Sequence, residues 1–92
     1  PVHFVTLGGA GNVWPAVDIG PGGSDLAGRV PGASRTVIDP AWHFSFLGLC
    51  TPEGPAMLKA EGEDPICDDP AGSDRAVVHA RIVEDIAAAL DL

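Results

Sequence analysis

Short apolar runs separated by Gly- and Pro-rich stretches make up the first half of the chain. Residues 2–7 (VHFVTL) and 35–38 (RTVI) are rich in β-branched side chains, which predicts two strands. Gly8 ends the first strand and Pro40 follows the second. Between them, Ser24 is a candidate N-cap for a short helix over residues 25–30. A connection of this length predicts parallel strands joined by a crossover, as in an α/β sheet.

The second half combines an irregular stretch with a strongly periodic one. Residues 47–72 are interrupted repeatedly by Pro and Gly, with a single helical turn predicted over 56–60. Residues 75–90 have apolar side chains at spacings of three and four behind Ser73 and Asp74, which predicts a capped amphipathic helix. Because parallel strands are normally covered on both faces, we expect a large further part of the same α/β domain beyond residues 1–92. The first residues already read as a strand, with no initiator Met or targeting segment before it, so we expect this part to lie upstream and residues 1–92 to be the C-terminal part of the domain. An upstream part would then cover the apolar faces, and without it we expect self-association.

Composition limits the size of the protein and the kinds of partner. With 92 residues and 46% hydrophobic content, the chain can form one domain with a small core. Thirteen acidic and five basic side chains give a net charge of −8, which has the wrong sign for binding phosphate backbones or anionic lipid. The apolar runs are also much shorter than the ~20 residues that cross a bilayer. We therefore expect neither a nucleic acid nor a membrane as partner.

His43, which follows the second predicted strand, is the main candidate for a functional residue. Open α/β sheets bind ligands at this edge, although His43 could instead be a half-buried histidine packed among its aromatic neighbours. The acidic stretch over residues 61–69 does not follow the spacing of a calcium loop and predicts a solvated surface. Two cysteines and dispersed histidines do not predict a zinc site, so we expect no metal and no cofactor.

The two cysteines enclose the irregular stretch. A disulfide between Cys50 and Cys67 would contribute about 3 kcal/mol in the loop-entropy model and would order this region. The alternative is a pair of free thiols in a reducing compartment. A disulfide would indicate a periplasmic or secreted protein.

Several longer motifs extend over most of the chain. They are PGA at 31–33, HFSFL at 43–47, CTPEG at 50–54, ICDD at 66–69 and DRAVVHAR at 74–81. Together they resemble the C-terminal portion of dienelactone-hydrolase-like members of the α/β-hydrolase superfamily. The resemblance implies a disulfide at the two cysteines and parallel strands followed by a long C-terminal helix.

The resemblance also implies catalytic roles. His43 would be the histidine of a serine–acid–histidine triad, deprotonating the serine and later protonating the leaving group. The family's acid follows the strand before it, where this chain reads GGAGNVWP over 8–15, so the candidates are Asn12, the nearest polar side chain, and Asp18. No serine here lies in a Gly-x-Ser-x-Gly elbow, so the nucleophile would come from an upstream part of the same hydrolase.

These observations predict a part of a hydrolase acting on a small carboxylic ester or lactone and inactive alone. The first alternative is a stand-alone acidic interaction module without catalysis. A more distant alternative is a tautomerase that uses Pro1 as an N-terminal amine base.

Overall fold

A computed structural model describes residues 2–9 and 13–92. The strands are β1 (His3–Leu7) and β2 (Ser34–Ile38), and the helices are α1 (Leu26–Arg29), α2 (Gly54–Ala60) and α3 (Arg75–Ala89). Two short 3₁₀ turns, Pro15–Val17 and His43–Phe46, precede and follow β2 in the chain.

The two strands pair in parallel, as the sequence predicts. The register runs from His3 opposite Ser34 to Leu7 opposite Ile38, so the amino ends of both strands lie at one edge and the carboxyl ends at the other. Among the described residues this is a two-stranded sheet. The protein is therefore a small α/β fold with a C-terminal helix.

The core is small and lies between the sheet and α3. Leu7, Ile38, Ala41 and Val78 are buried, and Val5 and Ile82 pack against them. Further along α3 the apolar side chains are open to solvent, and Val83 is 66% exposed and Leu90 65% exposed. The core therefore covers the first half of α3 and leaves much of the second half uncovered.

The N-cap of α3 is as predicted, whereas α1 is shorter than predicted. The Asp74 carboxylate accepts hydrogen bonds from the backbone N–H groups of Ala76 (2.9 Å) and Val77 (3.4 Å), which confirms the N-cap of α3. In α1, Ser24 Oγ accepts from the N–H of Leu26 at 3.3 Å. The helix is shorter than the predicted 25–30, because Asp25 has a φ of +54° and lies in the left-handed region before it.

The irregular stretch contains the predicted disulfide. Cys50 and Cys67 are bonded, which confirms the pairing. The bridged loop includes α2, which begins two residues before the predicted turn at 56–60. The bond is compatible with an extracellular location. None of the helices within the described ranges has the length and apolar character to cross a membrane.

Candidate functional site

His43 lies beyond the carboxyl ends of both strands. After β2 ends at Ile38, the chain passes the cis Asp39–Pro40 bond and the fully buried Ala41 before entering the 3₁₀ turn His43–Phe46. The side chain of His43 is exposed. The sequence-predicted histidine therefore stands at the sheet edge where open α/β sheets bind ligands.

Ser45 anchors this turn from its inner side. It is fully buried, its Oγ accepts from the backbone N–H of Trp42 at 3.0 Å, and the same hydroxyl donates to Asp69 Oδ1 at 2.5 Å. The ring of His79 donates from Nε2 to the Ser45 carbonyl at 2.8 Å. Because Ser45 is held inward, the backbone that carries His43 is fixed while the imidazole stays accessible.

Arg75 connects this anchor to the disulfide loop. The side chain is 6% exposed and its Nε lies 3.1 Å from Asp69 Oδ2. Its Nη2 donates to the carbonyl of Ile66 at 2.9 Å and to Asp69 Oδ1 at 3.1 Å. A buried guanidinium with several partners ties the start of α3 to the loop before it.

The same contacts decide the pKa of Asp69. Partial burial alone would raise the pKa of this carboxyl. The hydrogen bonds from Arg75 and Ser45, with the positive charge of Arg75 and a smaller contribution from His79, outweigh burial and lower the pKa below its usual value. Asp69 is therefore a stable anion that completes the anchor.

Aromatic rings surround His43. Its ring centroid lies 5.3 Å from Trp14 and 5.6 Å from Phe44, and Trp14 meets Phe44 edge to face at 5.1 Å. These rings line an open cleft of about 500 Å³, here called the His43 cleft. Its walls are Val13, Trp14, Pro15, Trp42, His43, Phe44, Asp64 and Pro65.

Of the two residues predicted for the acid position, the structure describes only Asp18. Asp18 lines a separate cavity beside Arg35, and its Oδ1 accepts from the backbone N–H of Gly20 at 2.9 Å. The structure therefore does not place Asp18 and His43 in the same cavity. Asn12, the other candidate acid position, and Pro1 both lie outside the described residues.

Asp64 is a carboxylate of the His43 cleft that sequence reasoning did not select. It belongs to the acidic stretch that predicts a solvated surface, and it is exposed. Asp64 lies three residues before Cys67, and the disulfide holds the Cα atoms of Cys50 and Cys67 5.9 Å apart. The pairing of these cysteines is the feature of the sequence that could have indicated that the two ends of this loop lie close together.

An exposed imidazole between aromatic walls can exchange protons with a bound molecule, and a nearby carboxylate can orient or stabilise it.

Comparisons with protein-family models, with curated proteins and with solved structures gave no match for this chain.

Proposed function

We propose that the chain is the C-terminal part of an α/β-hydrolase that cleaves carboxylic esters or lactones, with His43 as its general base and acid. The position of His43 carries this proposal, because it is exposed at the carboxyl edge of a parallel strand pair and lines an aromatic cleft. In this role His43 takes the proton of a serine hydroxyl as the serine attacks the ester carbonyl. It then returns the proton to the departing alcohol.

The acid partner is a choice among three residues. Asn12 and Asp18 are the candidates from the sequence, and Asp64 joins them because it lines the same cleft as His43. A carboxylate would stabilise the imidazolium formed during acyl transfer, whereas an amide could only orient the ring. We therefore rank Asp64 first for its position and its charge.

The open apolar surface supports the presence of a further part of the same hydrolase. Val37 of β2 is 42% exposed, although strands of parallel sheets are usually covered on both faces. We propose that an upstream part bearing the nucleophilic serine covers the face of the sheet that carries Val37. The disulfide supports a periplasmic or secreted location for the whole protein.

The test begins with the intact mass of the natural polypeptide, followed by ester turnover measured on that polypeptide. His43→Ala should lower kcat for an aryl ester or lactone by about 10⁴-fold, since triad members act as a unit. Arg29→Ala, an exposed site on α1, provides the matched surface control and should leave turnover within twofold of the parent.

The acid is then identified by comparing single variants. Asp64→Asn should lower kcat by about 10²-fold or more, and Asn12→Ala and Asp18→Ala should lower it less. If Asp18→Ala matches the loss at His43, Asp18 is the acid. If His43→Ala retains full turnover, His43 is only a histidine packed among aromatic rings and the hydrolase proposal fails.

The second candidate is an acidic binding module that takes a basic protein partner. A net charge of −8 together with exposed apolar side chains such as Leu49, which is 64% exposed, favours this function. A natural chain that ends at this length, is monomeric, lacks ester turnover and binds its partner more weakly at high salt would support it.

A further inference from the structure

A hydrogen-bonded serine, histidine and aspartate lie at the opposite edge of the sheet from the His43 cleft. Ser34 Oγ lies 2.6 Å from His3 Nδ1, and His3 Nε2 lies 2.7 Å from Asp85 Oδ2. The three residues come from β2, β1 and α3, and His3 and Asp85 are 82 positions apart in the chain. This group, here called the Ser34 relay, exists because α3 returns past the amino ends of the parallel strands.

The direction of each hydrogen bond follows from Asp85. Its other oxygen, Oδ1, accepts from Thr36 Oγ1 at 2.7 Å, and the hydrogen bonds from Thr36 and His3 hold the pKa of Asp85 below its usual value. An ionised carboxylate only accepts, so the hydrogen between Asp85 and His3 belongs to Nε2. In the neutral ring, Nδ1 is then the acceptor for the Ser34 hydroxyl. A nucleophile, a base and a residue that orients the base thus stand in the required order.

The Ser34 relay opens onto an apolar groove. The groove measures about 510 Å³ and is lined by both Ser34 and His3, with Val5 and Ile86 among its apolar walls. Ser34 is exposed, whereas His3 and Asp85 are partly shielded, with side chains that are 21% and 20% exposed. The Ser34 hydroxyl is therefore on an accessible residue, and an apolar chain bound beside it would lie against aliphatic side chains.

We propose that Ser34 is a nucleophile that accepts acyl groups from carboxylic esters with an apolar acyl chain, with His3 as its base. Ser34 Oγ bonds to the ester carbonyl carbon, the bond from that carbon to the alcohol oxygen breaks, and the hydroxyl proton passes through His3 Nδ1 to the departing alkoxide. Water then cleaves the acyl-serine, which releases the carboxylic acid and restores Ser34. Asp85 and Thr36 are positioning residues. This site is separate from the His43 cleft and does not depend on the proposed function.

The direct test is covalent labelling of the 92-residue chain with an alkyl fluorophosphonate. Attack by Ser34 forms the phosphorus–oxygen bond and releases fluoride, while His3 takes the proton and passes it to solvent. Peptide mapping by mass spectrometry should find one phosphonyl group, located on Ser34. The labelling rate should rise at least threefold from a methyl to a hexyl phosphonate, because the longer chain buries apolar surface in the groove.

Variants separate nucleophilic activation from a structural role. Ser34→Ala should abolish labelling, and Ser24→Ala, the matched control at another exposed serine, should label at the parent rate. Asp85→Asn should lower the maximal labelling rate at least tenfold while the half-saturating probe concentration changes less than twofold. A fall in the maximal labelling rate accompanied by a matching rise in the half-saturating probe concentration would assign Asp85 to folding rather than to orientation of His3.

A second measurement does not depend on how well the Asp85→Asn variant folds. Ser34→Cys should react with iodoacetamide at neutral pH at least tenfold faster than Ser24→Cys, because His3 favours the thiolate. Equal alkylation rates at the two cysteines, or absence of phosphonyl label on Ser34, would overturn the proposal. Residue-level mapping keeps this result independent of ester turnover through His43, and the His43 variants are compared in a Ser34→Ala background so that turnover at the two sites is measured separately.

Discussion

The two ends of the parallel sheet each hold a histidine, and the two are held in opposite ways. At the carboxyl edge, the backbone around His43 is fixed by Ser45, while within residues 2–9 and 13–92 no hydrogen bond is made to its ring. At the amino edge, both ring nitrogens of His3 are hydrogen-bonded and the apolar groove beside it is open.

This difference separates two ways of preparing a histidine for chemistry. The carboxyl edge supplies a rigid support for a side chain that still needs partners, which suits a site completed by another part of a protein. The amino edge supplies a histidine whose partners are already in place. If the two ends are independent, a change at one edge of the sheet should leave the histidine at the other edge unaffected.

Removal of Arg75 should have the largest effect. Arg75→Ala leaves Asp69 without its charge partner and removes the donor to the carbonyls of the disulfide loop, so we expect a loss of about 3 kcal/mol or more in the free energy of unfolding. Urea denaturation followed by circular dichroism measures the loss. Arg81→Ala, an exposed arginine on the same helix, should change stability by less than about 0.5 kcal/mol. Similar results for both variants would show that the buried guanidinium does not stabilise the carboxyl edge.

Loss of the disulfide should have the next largest effect, about 3 kcal/mol, because the bond closes a loop with a sequence separation of 17. We expect the Cys50→Ser/Cys67→Ser protein to unfold at a lower urea concentration and to lose the contribution of Asp64 to the His43 cleft. Labelling of Ser34 should persist under conditions where the variant is folded.

Two measurements control this experiment. The native protein should show no reactive thiol under denaturing, non-reducing conditions, and its chemically reduced form should match the serine variant. Loss of Ser34 labelling in the folded variant would show that the two ends of the sheet are coupled.

Acid titration should produce the smallest effect. The pKa of Asp69 is lowered by folding, so its contribution to stability is complete above the ordinary aspartate pKa of about 3.9 and is lost as the pH falls through the lower, folded-state value. The pKa of Asp85 at the amino edge is also lowered by folding, so its contribution to stability is likewise lost as the pH falls. Urea midpoints at pH 6, 4, 3 and 2 should fall more steeply for the parent than for Asp69→Asn. The Asp69→Asn/Asp85→Asn double variant should have the flattest profile. Equal slopes for all three proteins would contradict both pKa directions.

Local sequence signals predicted the regular elements well. The β-branched runs predicted β1 and β2 to within one residue, and the apolar spacing and Asp74 predicted α3 and its cap. The 3₁₀ turn that carries His43 was not predicted, because the hydrogen bonds that form it depend on the buried position of Ser45. For Asp64 the charge pattern predicts only a solvated surface position, because charge pattern alone does not indicate which cavity a loop residue lines.

The two strands, their parallel direction and the C-terminal helix are predictable from the chain alone, since they depend on local periodicity and connection length. The two cysteines predict a single possible pairing, and the structure contains that bond. Which polar side chains meet depends instead on how the elements pack in three dimensions. Ser34 and His3 are 31 positions apart, and their contact requires the observed strand register. Asp85 reaches His3 because α3 packs on the sheet with its later turns at the amino edge. A one-residue slip of the register would turn every side chain of the slipped strand to the other face of the sheet, and Ser34 would then no longer face the same side as His3.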